Sequence, residues 1–133
     1  MLENRTVSTR LPVRDLRRAR AFYRDQLGLD PIDERPGGLL YRCGSGTFAL
    51  FESAGSAAGT HTQMCWEVDD IELVVADLRA HGVQFEEYDL PGLRTVGGIA
   101  EIAGNYSTKG RSERAAWFRD SEGNLIGLAQ AIR

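Results

Sequence analysis

The residues of this sequence that could carry chemistry are two carboxylates, a thiol and an arginine, each in or beside a predicted strand. Glu67 and Glu101 could exchange protons if desolvation moved their pKa values toward neutrality. Cys65 would react only as an accessible, acidic thiol, and Arg10 suits an anionic group on a ligand. Each also has a structural interpretation. Arg10 pairs with an acid such as Glu67, and Glu67 belongs to a motif that leads into a helix. Glu101 is an exposed strand carboxylate, and Cys65 is a small buried hydrophobe.

The histidines and tryptophans add no familiar catalytic arrangement. His61 lies beside a segment of small residues, and His81 lies near a predicted helix end, where a cation favours the helix dipole; both are interpreted as solvated. With these two histidines, neither a Ser-His-Asp nor a Cys-His arrangement can be proposed. Trp66 and Trp117 are interpreted as core or interface aromatics, and Trp117 stacks on a ligand only in a different strand register.

Length and composition exclude several classes of protein. The chain has 133 residues, 42% hydrophobic and 26% charged, which predicts one domain over residues 1–133 and excludes disordered and collagen-like chains. A net charge of −3 argues against a nucleic-acid partner. No apolar run is long enough for a membrane helix, and the first residues lack a signal-peptide pattern. We therefore expect a cytoplasmic protein that binds neither nucleic acid nor membrane.

Two segments of similar pattern, Thr6–Leu29 and Thr62–Phe85, form an internal repeat. Each contains a short strand, an aspartate that can cap a helix, an apolar helical stripe and a glycine suited to a left-handed helix end. These landmarks are Asp15 and Gly28 in the first segment, and Asp69 or Asp70 and Gly82 in the second.

Short strands are predicted after each helix, which makes each half a β-α-β-β-β unit. They lie at about 30–34, 39–43 and 48–52 in the first half, and at about 84–88, 98–103, 115–119 and 124–130 in the second. The sequence thus predicts an α+β fold with repeat one at about 5–54 and repeat two at about 61–131. We expect one curved mixed sheet around a cleft, with the helices outside.

Strand alternation predicts which side chains line that cleft. The helix-facing set is Val7, Leu11, Val13, Phe48, Leu50, Met64, Trp66, Val68, Ile126 and Leu128. The cleft-facing set is Ser8, Arg10, Ala49, Phe51, Gln63, Cys65, Glu67, Leu125, Gly127 and Ala129. Glu101 could reach the cleft mouth, and a polar loop at 105–114 could close over it through Tyr106. This mixture of apolar and polar groups is typical of a small-molecule site.

Three segments carry a family resemblance: LPVRDLRRARAFYRDQLGL, WEVDDIELVVADLRAHGVQF and WFRDSEGNLIGLAQ. In this order they resemble the vicinal oxygen chelate superfamily, which includes glyoxalase I, extradiol dioxygenases, fosfomycin-resistance enzymes and bleomycin-resistance binding proteins. The resemblance covers essentially the whole chain and implies a glyoxalase-like fold. It implies a function less specifically, because one fold hosts several chemistries.

The resemblance also implies where a metal would bind. In the metal-dependent members the ligands come from the first and last strands of each repeat, and the matching positions here are Ser8, Ala49, Gln63 and Gly127. These residues do not supply the imidazole, carboxylate or thiolate donors that transition metals need. We therefore expect no metal and no other cofactor.

Three functions remain open. The leading hypothesis is a metal-free homodimer that binds a small molecule, bulky and aromatic or anionic, as the drug-sequestering relatives do. The alternative is a divergent lyase or oxidoreductase of the glyoxalase or dioxygenase type, which uses Glu67 and Glu101 or a metal held by other residues. The third is a non-catalytic dimeric interaction module. Pairing of the repeats within one chain or between two chains is also left open.

Overall fold

The computed structural model describes residues 1–54, 59–103 and 112–132. The first repeat consists of β1 Thr9–Val13, α1 Leu16–Asp25, β2 Asp33–Arg35, β3 Gly38–Cys43 and β4 Gly46–Glu52. The second consists of β5 Met64–Glu67, α2 Ile71–Ala80, β6 Asp89–Leu90, β7 Leu93–Val96, β8 Ile99–Ala103, β9 Ser112–Arg119 and β10 Leu125–Ile132.

Both helices begin at an aspartate cap, as the repeat predicts. The Asp15 carboxylate accepts a hydrogen bond from the Arg18 amide at 3.0 Å, and Asp70 rather than Asp69 caps α2 through the Leu73 amide at 3.2 Å. Gly82, just after α2, has a φ of +93°, the left-handed conformation expected there. Within the described residues, no helix has the length and apolar character needed to cross a membrane.

The strands are divided between two mixed sheets, and the α+β class is confirmed. The first sheet has the order β1-β4-β3-β2, and the second has the order β5-β10-β9-β8-β7-β6. In each, the first strand of the repeat is an edge strand paired in parallel with the last, so that Arg10 lies opposite Ala49 and Cys65 opposite Gly127. We expected a single continuous sheet, but the described residues form two. No strand pairing among them joins the first sheet to the second.

The second repeat contains a hairpin that the sequence interpretation missed. The segment 84–88, predicted as a strand, makes an isolated bridge between Phe85 and Phe118, and the strands β6 and β7 form after it. Their turn has Gly92 at φ +79°, as the position after a turn proline allows. The Tyr88 amide donates to the Thr95 hydroxyl at 2.8 Å. A side chain therefore satisfies this amide, which a continuous strand would have paired with backbone.

The helix-covered faces of the two sheets share one core. Tyr23 of α1 packs on Phe48, and Phe48 meets Trp66 of β5 edge to face, with ring centroids 5.7 Å apart in both pairs. The predicted helix-facing positions that are buried are Leu11, Val13, Phe48, Leu50, Ile126 and Leu128. The prediction that Val7 faces the helix is wrong, because Val7 precedes β1 and is 90% exposed. The core thus runs from one repeat into the other.

A turn in the second repeat holds the first repeat through buried hydrogen bonds. Asp120 is 6% exposed, and its Oδ2 accepts from the Tyr23 hydroxyl at 2.8 Å and from Asn124 Nδ2 at 2.9 Å. Asn124 Nδ2 also donates to the Pro12 carbonyl at 3.0 Å. Burial, followed by the charge of Asp120, raises the pKa of Tyr23, so its hydroxyl stays protonated and donates.

The same turn also contacts the start of α1. Glu122 Oε1 accepts from the amides of Arg14 and Asp15 at 2.9 and 3.0 Å, and Glu122 Oε2 accepts from Arg18 Nε at 2.7 Å. Burial alone would raise the pKa of Glu122, but the hydrogen bonds from Arg18 and these amides lower it to about 2. A carboxylate of the second repeat is therefore ionised at the N-terminus of the first helix, where a negative charge is favoured.

Candidate functional site

A cavity of about 1310 Å³ lies over the open face of the second sheet. The strands β5, β9 and β10 supply most of its lining, while α2 packs against β9 and β10. Along β10, Gly127, Ala129 and Ala131 line the cavity, whereas the side chains of Ile126 and Leu128 are buried in the core, although Leu128 also borders the cavity. This is the face that the sequence predicts for a ligand.

Small residues form the floor of the cavity. Gly127, Ala129 and Ala131 are alternate residues of β10, and Ala115 lies opposite Ala129 on the neighbouring strand β9. None of these side chains extends beyond a methyl group. The floor can therefore accept a flat molecule lying on the sheet, a shape that longer side chains would prevent.

Trp117 forms an aromatic wall beside this floor. It lies opposite Gly127 in the strand register, and its indole Nε1 donates to Thr62 Oγ1 at 3.0 Å. The ring of Tyr88 contacts the indole edge to face, at 5.7 Å between centroids. The interpretation of Trp117 as a core aromatic is therefore corrected: its neighbours Ala116 and Phe118 occupy the core, at 0% exposure, so Trp117 faces the cavity.

Two carboxylates and a thiol share the cavity. Burial and then repulsion from Glu67 on β5 raise the pKa of Glu113 on β9. Cys65, expected as a small buried hydrophobe, is instead exposed on this face. Partial desolvation of its thiol, followed by the charges of Glu113 and Glu67, raises the pKa of Cys65 to about 11. The thiol is thus protonated at neutral pH and is a weak nucleophile.

Four predicted site residues line this cavity together: Gln63, Cys65, Glu67 and Gly127. Gln63 has a structural task as well, because its Oε1 accepts the Leu125 amide at 3.2 Å and so ties β5 to the start of β10. Leu125 itself was predicted to line the cleft, but it is 2% exposed and lies outside the cavity lining.

The other predicted site residues lie elsewhere. Ser8 precedes β1, while Arg10, Ala49 and Phe51 belong to β1 and β4 of the first sheet, and none of the four lines the cavity of the second sheet. Glu101 lines a separate groove with Arg114 and the β6–β7 hairpin. Tyr106 lies outside the described residues. The predicted set is therefore split because the repeats place their open faces on different sheets.

Glu113 is the cavity residue that sequence reasoning missed. The predicted strand began at Ala115, so the alternation was not extended back to residue 113. The strand β9 begins at Ser112, and Glu113, Ala115 and Trp117 follow one another on the same face. A strand prediction that began three residues earlier would have found the carboxylate, whereas Trp117 already lay inside the predicted strand and was assigned to the core.

The fold and the site define the class of protein. The first repeat is a β-α-β-β-β unit, and the second has five strands after its helix because the β6–β7 hairpin is added. Each helix lies on one face of a mixed sheet, and a cavity lies on an open face, which is the glyoxalase-like arrangement. The family model of the Glyoxalase/Bleomycin resistance protein/Dioxygenase superfamily matches residues 5–128, and the chain belongs to this superfamily. Among curated proteins, none matches the chain.

Solved structures confirm this fold. A virulence protein from Salmonella typhimurium is 19% identical, with a TM-score of 0.67 over 99% of this chain and 100% of that one. A lactoylglutathione lyase from Agrobacterium tumefaciens is 20% identical, with a TM-score of 0.63 over 96% and 95%. A fosfomycin resistance protein from Listeria monocytogenes, complexed with Mn(II), is 15% identical, with a TM-score of 0.65 over 97% and 91%. At these identities the likeness is one of fold.

The residues present do not fit a metal ion at the positions that the resemblance implies. Ala49 and Gly127 have no side-chain donor, and Gln63 Oε1 already accepts a backbone amide. A Cβ at position 127 would lie 3.2 Å from Thr62 Cγ2 and 3.5 Å from Cys65 Sγ, so the Thr62 side chain would have to shift slightly to admit one. No group of three His, Cys, Asp or Glu residues within the described part of the chain could hold a metal.

Proposed function

We propose that this protein binds a planar aromatic small molecule, without a metal, in the cavity of the second sheet. The observation that carries the proposal is Trp117, whose indole stands over a floor of glycine and alanine with its orientation set by Thr62 and Tyr88. Cavities that combine apolar and aromatic surface with polar groups are typical binding sites for small molecules. The expectation of an anionic guest depended on Arg10, which lies on the first sheet.

An aromatic guest gains most from stacking on the indole. An aromatic ring on the floor would contact the methyl groups of Ala115 and Ala129, and the same ring would meet Trp117 with its face or edge. Binding would remove these apolar surfaces from water. Cys65 borders the same space as a neutral thiol and adds soft, polarisable contact rather than a reaction.

The test is calorimetric titration of planar aromatic compounds into the wild type and the Trp117→Ala variant. Removal of the indole is expected to weaken binding by at least about tenfold, since aromatic anchors of binding sites carry this much. Trp117→Phe retains a stacking ring and is the matched control, expected to keep most of the affinity. Full affinity in a folded Trp117→Ala protein would contradict the proposal.

We further propose a homodimer in which the open face of the first sheet from a second copy closes the cavity. Two observations support it: Phe51 stands 38% exposed on that face, and the predicted site residues are divided between two open faces of one chain. Light scattering is expected to give twice the monomer mass at ligand-binding concentrations, and a monomer would contradict this arrangement. The cytoplasmic location stays a prediction.

An acid–base enzyme is the second candidate function, and one observation favours it. Burial and the neighbouring Glu67 raise the pKa of Glu113, which brings this carboxylate closer to the range of a general acid or base. On this account a bound compound would be turned over, and Glu113→Gln would abolish turnover without abolishing binding. A compound that binds and is recovered unchanged favours the binding protein.

A further inference from the structure

We propose that the cavity of the second sheet selects planar organic cations; this rests on the proposed binding function and specifies the charge of its ligand. The ionisable groups of its described lining are all acidic or neutral: Glu67, Asp69, Glu113 and the Cys65 thiol. The described lining contains no lysine, arginine or histidine. A guest that enters this space therefore meets negative charge beside an aromatic wall.

The two central carboxylates are without a cation among the described residues. No ion pair or hydrogen bond joins Glu67 or Glu113 to another described side chain, although Arg114 follows Glu113 directly. Arg114 extends to the other face of the sheet, where its guanidinium contacts Glu72 of α2 at 3.1 Å. The repulsion between Glu67 and Glu113 is thus relieved by a positive charge that a ligand would bring.

The Trp117 indole also favours a cationic ligand, through a cation–π contact. Trp117 is the best cation–π partner among the side chains, and a planar cation can meet its face while it lies on the floor beside the carboxylates. The same geometry disfavours an inorganic cation. No group of three His, Cys, Asp or Glu residues within the described ranges of the chain could hold a metal ion.

If a second copy closes the cavity, the net charge of the cavity lining stays negative. In the proposed dimer the partner's Arg10 could approach the cavity, and it would bring one positive charge to a lining with three carboxylates, Glu67, Asp69 and Glu113. The lining would remain negative overall. Selection for a cation therefore does not depend on the oligomeric state.

The test uses one ring system in three charge states: N-methylacridinium, which is a permanent cation, acridine, which is neutral at about pH 8, and acridine-9-carboxylate. Calorimetry at low salt is expected to show the cation bound at least about tenfold more tightly than acridine, and the anion most weakly. Equal or tighter binding of acridine or its carboxylate would overturn the charge selection and leave the proposed function standing. No binding of any of the three rings to the wild type would overturn both.

Variants assign the selection to the two carboxylates. Glu113→Gln and Glu67→Gln together are expected to reduce the preference for N-methylacridinium over acridine to less than about threefold, with acridine binding unchanged. Glu101→Gln is the matched control, because it removes one carboxylate from the same sheet but lines the separate groove. The assignment of charge selection to Glu67 and Glu113 would be overturned if Glu101→Gln lost the preference for N-methylacridinium to the same extent. Displacement of N-methylacridinium by micromolar Mn(II) would also overturn it.

Discussion

The two repeats share a scaffold and differ in the chemistry of their open faces. Each helix begins at an aspartate cap, and each sheet pairs its first strand in parallel with its last. The open face of the first sheet carries Arg10 and Phe51, whereas that of the second carries carboxylates and Trp117 over small residues. Side chains on an open face contribute little to the core, so they can diverge while the fold persists.

This difference shows how one unit can serve two purposes. The second sheet supplies the floor and wall of a cavity, because β10 alternates large core residues with glycine and alanine. The first sheet carries the exposed ring of Phe51, which in the proposed dimer covers the cavity of a second copy. Buried hydrogen bonds of Asp120 and Asn124 hold the two units in a fixed relation.

The largest expected effect comes from breaking the contact between the repeats. Asp120→Ala removes the buried acceptor of the Tyr23 hydroxyl and one of the two acceptors of the Asn124 side-chain amide. We expect the free energy of unfolding to fall by about 3 kcal/mol. Urea unfolding measures this change. The exposed Asp25→Ala is the control, and a loss for Asp120→Ala no larger than for the control would show that the contact is not stabilising.

Acidification tests the same contact through Glu122. Because its pKa is lowered to about 2 in the folded protein, its stabilisation is complete above the ordinary value of 4.5 and is lost as the pH falls toward the folded value. Between about pH 5 and pH 2 the wild type is expected to lose about 2 kcal/mol more than Glu122→Gln, since the exposed part of Arg18 reduces the full linkage. Parallel pH profiles of unfolding free energy for both proteins would contradict this.

A smaller effect separates the two open faces. Phe51→Ala is expected to weaken dimerisation and to lower affinity for a planar aromatic ligand by less than about threefold, well below the loss in Trp117→Ala. Sedimentation and calorimetry on the same samples measure both quantities. An affinity loss at Phe51 equal to that at Trp117 would show that the first sheet binds the ligand as directly as the second.

Local features of the fold were predictable because short-range chemistry decides them. The aspartate at position 15 has free helix amides within reach, and the glycine at position 82 takes a left-handed conformation that costs other residues energy. The Leu90-Pro91-Gly92 turn was predicted for the same reason. The cavity face of β5 was also predicted, since alternation places Cys65 and Glu67 together.

The other features of the fold and site depend on long-range contacts, which the sequence pattern does not indicate. Whether Arg10 and Glu67 face one cleft depends on how two repeats pack, and the shared core of Phe48 and Trp66 sets that arrangement across the chain. Glu113 was missed because its strand extends further back than its apolar residues. The hairpin β6–β7 follows from its turn and from the Thr95 hydroxyl bond, which apolar periodicity does not indicate.

An NMR titration shows whether the second sheet holds the ligand. Backbone and indole resonances of labelled protein are followed as the tightest-binding of the three acridines is added. If the ligand binds on the second sheet, the largest chemical-shift changes fall on β5, β9, β10 and the Trp117 indole. Largest shifts on β1 and β4, or spread over the surface without saturation, would contradict it.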